Sequence, residues 1–409
     1  MTKVKRRIAV LNSHPIQYFA PLYAFLSASE DIDVTALYLS DYSIRGAEDR
    51  GFGHVVKWDV DLLAGYNHRF VKRASTTGQP AGFFSIVAAD LWSIIRSERF
   101  DALWLHGHNL AANHIALAAA KSIGSPVLMR SETHLELERS KAKAAMRRPL
   151  LGRLYKACDG FLAIGSANKS FYRAMGVPEE KISLVPYTVD NERFMRVSQL
   201  SAEERSATRR KLGISQDRPA ILYASKFMRR KHPDDLVRAA QKLAAEGLAF
   251  DLVMVGSGEM DAELKALVAQ SGPTSTVFTG FINQQELPRI FGACDVFVLP
   301  SEDEPWGLIV NEAMCAGLPI VIASEVGCVP DLLRQGENGY SFTAGDIDGL
   351  AAALRPIVSN AGLRDTMSKK SIEIINGWSY QQCLEGIREQ LRAIDQRRAF
   401  GSKCASQAG

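Results

Sequence analysis

Short apolar runs alternate with longer segments whose apolar residues recur at helical spacing. Ile8–Leu11 is such a run, closed by Asn-Ser-His-Pro, and predicts a strand followed by a turn. Helical spacing follows over Phe19–Ser27, and Val34–Leu39 predicts a second strand. Phe83–Arg96 and the alanine-rich Leu110–Lys121 predict helices. Ala102–Leu105, Val127–Met129, Phe161–Ile164 and Ser183–Val185 predict strands. The pattern then restarts. Strands are predicted at Ala220–Ala224, Phe250–Val255, Val277–Thr279, Val296–Pro300 and Ile320–Ala323. Helices are predicted between them at Asp234–Glu246, Asp261–Gln270, Gln285–Ala293 and Leu308–Ala316. Strands alternating with helices imply parallel βαβ units with helices on both sheet faces, hence an α/β chain of two doubly wound domains.

The boundary is placed near Pro186–Asp190, giving domains over 1–187 and 188–377. The polar stretch Arg193–Arg210 reads as a linker or surface helix. A final helix is expected over 378–397, and the small polar residues of 398–409 read as a frayed tail. Doubly wound sheets bind ligands at the carboxyl ends of their strands, so the residues just after each strand are the ones to read.

A length of 409 residues suits two or three domains. With 46% apolar and 23% charged residues, the chain is neither collagen-like, disulfide-stapled nor wholly disordered. The net charge of +4 is too mild to argue for a nucleic-acid partner. Six cysteines lie scattered without any CxxC, several in apolar contexts, and read as buried thiols of a reducing compartment. The basic start is followed by an apolar run too short for a signal peptide, and no run is long enough to span a membrane. A cytoplasmic protein is expected. Arg139–Lys156 carries basic and no acidic residues. It reads equally as an amphipathic contact with anionic lipid, placing the chain on the inner membrane face, or as a solvated helix face broken by Pro149.

Three post-strand segments carry chemistry. Ser225-Lys226-Phe-Met-Arg-Arg-Lys231-His-Pro233 crowds cations onto a strand-to-helix turn, either an anion site or a solvated loop. Gly256-Ser257-Gly258 is a turn that lets backbone approach a ligand, or simply a tight turn; it is not the dinucleotide fingerprint GxGxxG. Ser301-Glu-Asp-Glu304-Pro-Trp-Gly307-Leu308-Ile309-Val-Asn-Glu312 places a helix start, with its free amides, beside two carboxylates.

Glu304 and Glu312 form an E-x7-E within SEDEPWGLIVNEAMCAGLPIVIASEVG. This segment resembles the donor site of the retaining glycosyltransferase family 4, whose members have the GT-B fold of two Rossmann-like domains facing across a cleft. ILYASKFMRRKHPDDLVRA, LVMVGSGEMDAEL, VFTGFINQQELPRIFGACDVFVLPS and SLVPYTVDNERF resemble further family segments in order, over about 180–345. The chain departs from the pattern in three places. Ser225-Lys226 stands for Gly-Arg, NSHPIQYFAPLYAFL for an N-terminal Gly-Gly, and Gly327-Cys328 for a later Gly-Gly.

The resemblance implies transfer of a sugar, with retention, from a nucleotide-sugar donor (UDP, GDP or ADP) to a hydroxyl of a sugar, glycan or lipid-linked acceptor. It implies no metal or other cofactor. Lys226, Lys231 and the helix start at Gly307, Leu308 and Ile309 would stabilise the leaving diphosphate. Glu312 would hold the ribose hydroxyls and Glu304 the donor sugar. Gly256 would let the backbone approach the donor, and the backbone at Phe281 and Ile282 would hold the base. The final helix would pack on the N-terminal domain. On that domain His106 is the candidate catalytic group, and His14, Arg130 and Glu132 are candidates for the acceptor or sugar side, though loop hydrogen bonding is the ordinary role of such residues. His106, His108 and His114 lack a carboxylate or cysteine at ligand spacing, so no metal site is expected. The Asp-x-Asp pairs at 31, 59 and 346 read as surface. Competing classes are a glycoside hydrolase, a sugar-nucleotide epimerase of the same fold and a non-catalytic nucleotide-sugar-binding protein.

Overall fold

The apolar runs form parallel strands in two separate sheets, and the central strands are buried on both faces, as their unbroken hydrophobicity requires. The computed structural model describes residues 4–49, 51, 54–72, 82–135, 141–270 and 275–407. The chain divides into two units: Met1–Ala47, Asp61–Tyr187 and Tyr380–Gly409, and Glu48–Val60 with Thr188–Ser379. The sequence boundaries assign 48–60 to the N-terminal domain; in the structure this segment packs with the second unit.

In the first unit the spatial order is Asn67–Phe70, Ile32–Tyr38, Arg6–Asn12, Ala102–His106, Val127–Arg130, Gly160–Ala163 and Ile182–Leu184. The order reverses between Arg6–Asn12 and Ala102–His106, which pair from Ile8 with Ala102 to Leu11 with Leu105. Asn67–Phe70 is an edge strand whose four residues are all exposed, so it lacks the apolar run that marks the others. The expected helix over Phe83–Arg96 is a correction: a short 3-10 turn at Phe83–Ser85 precedes a helix at Asp90–Glu98. Only the later part has a stripe to bury, in Leu91, Ile94 and Ile95, while Phe84 stays 79% exposed.

The last helix, Tyr380–Gln407, packs on this unit and runs through residues read as a tail. Arg388 grips Asp31 through two guanidinium nitrogens, with Nη2 2.6 Å from Oδ1 and Nε 2.9 Å from Oδ2. That pair holds the Asp31 carboxyl below its ordinary pKa. Gln390 accepts from Ser183 Oγ at 2.9 Å, and Cys383 Sγ donates to the Pro186 carbonyl. The basic segment forms the helix Lys141–Lys156. Arg139 lies outside the described residues, and Arg148, Pro149 and Leu150 are exposed. Among the described residues no helix is long and apolar enough to cross a membrane.

The second unit orders its strands Ser275–Gly280, Asp251–Val255, Ala220–Ala224, Val296–Leu299, Ile320–Ala323 and Gly339–Phe342. Its reversal falls between Ala220–Ala224 and Val296–Leu299, which pair through Ile221 with Val296 and Leu222 with Phe297. The polar stretch ahead of it is two helices, Asn191–Ser198 and Ala202–Leu212. The second starts on a capping box of Ser201 and Glu204 and ends at Gly213 in the left-handed conformation. Cys158, Cys294, Cys315, Cys328 and Cys383 are buried free thiols.

Candidate functional site

In the second unit two loops leave the carboxyl ends of the strands that flank the reversal, where doubly wound sheets bind ligands. Ser225–Pro233 follows Ala220–Ala224, and Pro300–Gly307 follows Val296–Leu299. The basic loop is clamped on both sides. Toward the glycine turn, Ser225 N donates to the Val255 carbonyl at 3.1 Å, Phe227 N to Ser257 at 3.0 Å and Met260 N to Phe227 at 3.0 Å. Gly256 adopts φ +135°, and a Cβ there would fall 2.0 Å from the Ser225 carbonyl oxygen, so only glycine fits. Toward the other loop, Glu302 N donates to the Arg230 carbonyl at 3.1 Å, and Arg230 Nη1 donates to the Asp303 carbonyl at 2.9 Å.

Across this junction Lys231 Nζ forms an ion pair with Glu304 Oε2. The Lys231 side chain is 7% exposed and that of Glu304 is 20% exposed, so the carboxylate is the more accessible member. Lys226 belongs to the same loop, and its stem lies along Gly51: a Cβ on Gly51 would come within 2.5 Å of Cδ and 2.8 Å of Nζ. Gly327 supports the carboxylate loop from below. Its N donates to the Glu304 carbonyl at 3.0 Å, and a Cβ would stand 2.1 Å from the Pro305 carbonyl oxygen.

The helix Leu308–Cys315 starts at Gly307, φ +93°, with no side chain capping it. Among its first amides, Val310 N turns back to the Gly307 carbonyl at 2.8 Å. Glu312 sits one turn in and has no exposed surface. The two glutamates therefore differ: Glu304 meets solvent and Lys231, whereas Glu312 lies inside the unit. Gly280, just before Phe281 and Ile282, is tied to the glycine turn by Gly256 N, which donates to its carbonyl at 2.9 Å. Lys226, Lys231, Glu304, Gly256, Gly307, Leu308, Ile309, Phe281 and Ile282 thus all lie along one sheet edge.

Two residues were read only as part of the basic loop and were given no role of their own. Arg230 bridges the loops. His232 takes φ +48°, rare for a residue with a Cβ, and its Nδ1 stands 2.8 Å from Asp235 Oδ2. Burial lifts the Asp235 carboxyl above its ordinary pKa. The signal available for His232 was its place just before Pro233, which opens a helix. Among the described residues no group of three or more His, Cys, Asp or Glu could hold a metal.

The comparisons with known proteins agree with this geometry. Residues 32–193 match the family profile described as Glycosyltransferase Family 4, and 204–374 match Glycosyl transferases group 1, together about four-fifths of the chain. The chain belongs to the family 4 glycosyltransferases. It is 30% identical over 212 residues to an uncharacterized glycosyltransferase of Methanocaldococcus jannaschii, covering 52% of this chain and 53% of that protein. It is 26% identical to the sulfoquinovosyl transferase of Arabidopsis thaliana, covering 67% of this chain and 53% of that protein. The chain thus spans about half the length of these relatives. The structure of Anabaena HepE in complex with UDP superposes with a TM-score of 0.71 at 15% identity, covering 95% of this chain and all of that one, which shows a shared GT-B fold.

In this family 4 chain the first-unit candidates sit in an aromatic cluster. His106 Nε2 stands 2.8 Å from Tyr23 Oη, and burial together with the Arg130 charge holds its pKa well below the usual histidine value. His14 lies between Ser13 Oγ and Tyr42 Oη, each 2.9 Å away, and burial lowers its pKa to about 4. Glu132 accepts from Tyr187 Oη at 2.5 Å. Arg130, a candidate for the acceptor side, is 1% exposed. Its Nη1 donates to the Val185 carbonyl at 3.0 Å, and its guanidinium faces the rings of Phe19, Trp104 and Tyr187. These contacts make it a brace for the chain leaving this sheet, since a group so enclosed has little surface to offer a substrate.

Arg130→Met keeps the volume and strands the Val185 and Pro186 carbonyls, the second of which accepts from Nη2 at 3.4 Å. It should cost about 1–3 kcal/mol of unfolding free energy and leave nucleotide affinity unchanged. Urea unfolding and nucleotide titration of the variant check this. Unchanged stability with lost turnover would instead return Arg130 to the substrate side.

Proposed function

We propose that the chain transfers a sugar from a nucleoside diphosphate sugar to the hydroxyl of a sugar, glycan or lipid-linked acceptor, with retained anomeric configuration and without a metal. The observation that carries this reading is the cation loop clamped between the glycine turn and the Glu304 loop at the strand-order reversal. Structures of Anabaena HepE, which shares the fold, are complexes with UDP and with UDP and glucose, and this supports a nucleotide-sugar donor.

Breaking the anomeric C–O bond leaves negative charge on the diphosphate and positive charge on the sugar ring. Lys226, Lys231 and the amides at the start of Leu308–Cys315 are the groups to meet the negative charge, and they act best where water is scarce. Glu304, held by Lys231, presents its free oxygen to donor-sugar hydroxyls. Glu312, one turn into the helix, is the group the family resemblance assigns to the ribose hydroxyls, although its side chain has no exposed surface in this structure.

The test is incubation of the purified chain with UDP, GDP and ADP sugars, with and without simple acceptors and with excess EDTA. Release of one nucleoside diphosphate should depend on acceptor and survive EDTA, and the new linkage should keep the donor's anomeric configuration by NMR. Loss of activity on chelation with rescue by magnesium or manganese would contradict the metal-free part. A sugar epimerised without acceptor would replace transfer by the epimerase reading.

A further inference from the structure

The second unit includes a piece of chain that sequence order assigns to the first half: Glu48–Val60. Its described residues hold the rim of the site. Gly51 lies against the Lys226 stem. Farther along, Asn283 Nδ2 donates to the Lys57 carbonyl at 2.8 Å, and Gln285 N donates to Asp59 Oδ2 at 3.2 Å. Gln285 Nε2 also donates to the Asp59 carbonyl. Between these anchors the half-buried Trp58 ring sits 6.3 Å from the Phe281 ring, tilted by 58°. Asp59 Oδ1 is buried without a hydrogen-bond partner, an acceptor with capacity for a donor.

These contacts lie on the carboxyl edge of the same sheet, in sequence from the cations outward. Ala220–Ala224 ends at Lys226, Asp251–Val255 ends at the glycine turn, and the edge strand Ser275–Gly280 ends at Phe281. Two strand spacings separate the first from the last, about 10 Å. A ribose and its base cover that reach when the diphosphate rests at Lys226. At the outer end the edge offers two aromatic rings and a carboxylate oxygen, which suits a flat, hydrogen-bonding heterocycle.

We propose that Trp58, carried to the second unit by Glu48–Val60, forms with Phe281 the wall that receives the nucleobase of the donor and sets nucleotide preference. This rests on the donor-site reading above. Base stacking on an aromatic ring changes affinity by roughly fivefold or more, independently of the phosphates.

The test is calorimetric titration of the full chain with UDP, GDP, ADP and inorganic pyrophosphate, for wild type, Trp58→Ala and Trp58→Phe. Wild type should bind one nucleoside diphosphate more tightly than pyrophosphate. Trp58→Ala should weaken that nucleotide by roughly fivefold or more and leave pyrophosphate within twofold, and Trp58→Phe should recover most of the loss. Unchanged nucleotide affinity in Trp58→Ala would overturn the proposal. So would a proportional loss of pyrophosphate binding, which would make Trp58 only a brace for the 281–285 loop. If wild type binds neither pyrophosphate nor any nucleotide, the donor-site reading falls and takes this inference with it; if it binds pyrophosphate as tightly as every nucleotide, only the nucleobase wall falls.

Discussion

Lys231→Ala should lower kcat by about a hundredfold or more, the effect of removing one group aimed at charge that develops as the bond breaks. The same change strands Glu304, whose side chain is only 20% exposed, and should also cost stability, by about 3 kcal/mol or less given that remaining exposure. The two effects separate in a paired variant. Lys231→Met with Glu304→Gln removes both charges and keeps the volumes, so stability should recover while turnover stays low. Steady-state kinetics with urea unfolding of both variants make the test. Near wild-type kcat in folded Lys231→Ala would reduce the basic loop to a structural feature.

Gly256→Ala should be strongly destabilising. The residue needs φ +135°, and the added carbon would lie 2.0 Å from the Ser225 carbonyl oxygen, so two strand ends must part. A loss of at least about 3 kcal/mol, or failure to accumulate folded protein, is expected. Gly247→Ala is the control. It has φ +88° with nothing within 4 Å, and should cost only about 1–2 kcal/mol of backbone strain. Urea unfolding of both reads the difference. Equal losses would mean that the glycine turn is not braced against the cation loop.

The sheet cores were legible because strands buried on both faces must be apolar throughout, as in Ala220–Ala224 and Val296–Leu299. The site was legible for a related reason: its groups follow such strands within a few residues, so Lys226, Gly256 and Glu304 could be placed by counting. Asn67–Phe70 escaped because an exposed edge strand carries no such run. The E-x7-E spacing could not distinguish its two members. Glu304 lies in a loop whose path depends on Gly327 beneath it, and Glu312 faces inward from a helix, which only packing decides. Arg130 read as a candidate for the acceptor side because the Val185 carbonyl and the rings of residues 19, 104 and 187 that enclose its guanidinium lie far apart in sequence. Trp58 escaped for the same reason, since nothing local to 48–60 announces that it packs beside residue 281.

The most direct test of the donor site is thermal unfolding of the wild-type chain with UDP, GDP and ADP, beside the Lys231→Met, Glu304→Gln pair. A ligand at 100 times its dissociation constant adds about 2.7 kcal/mol, which for a unit of this size raises Tm by roughly 5–10 °C. The expected result is such a shift with at least one nucleoside diphosphate in wild type and a much smaller one in the paired variant. No shift with any of the three at millimolar concentration, or an equal shift in the variant, would contradict a nucleoside diphosphate site built on Lys231.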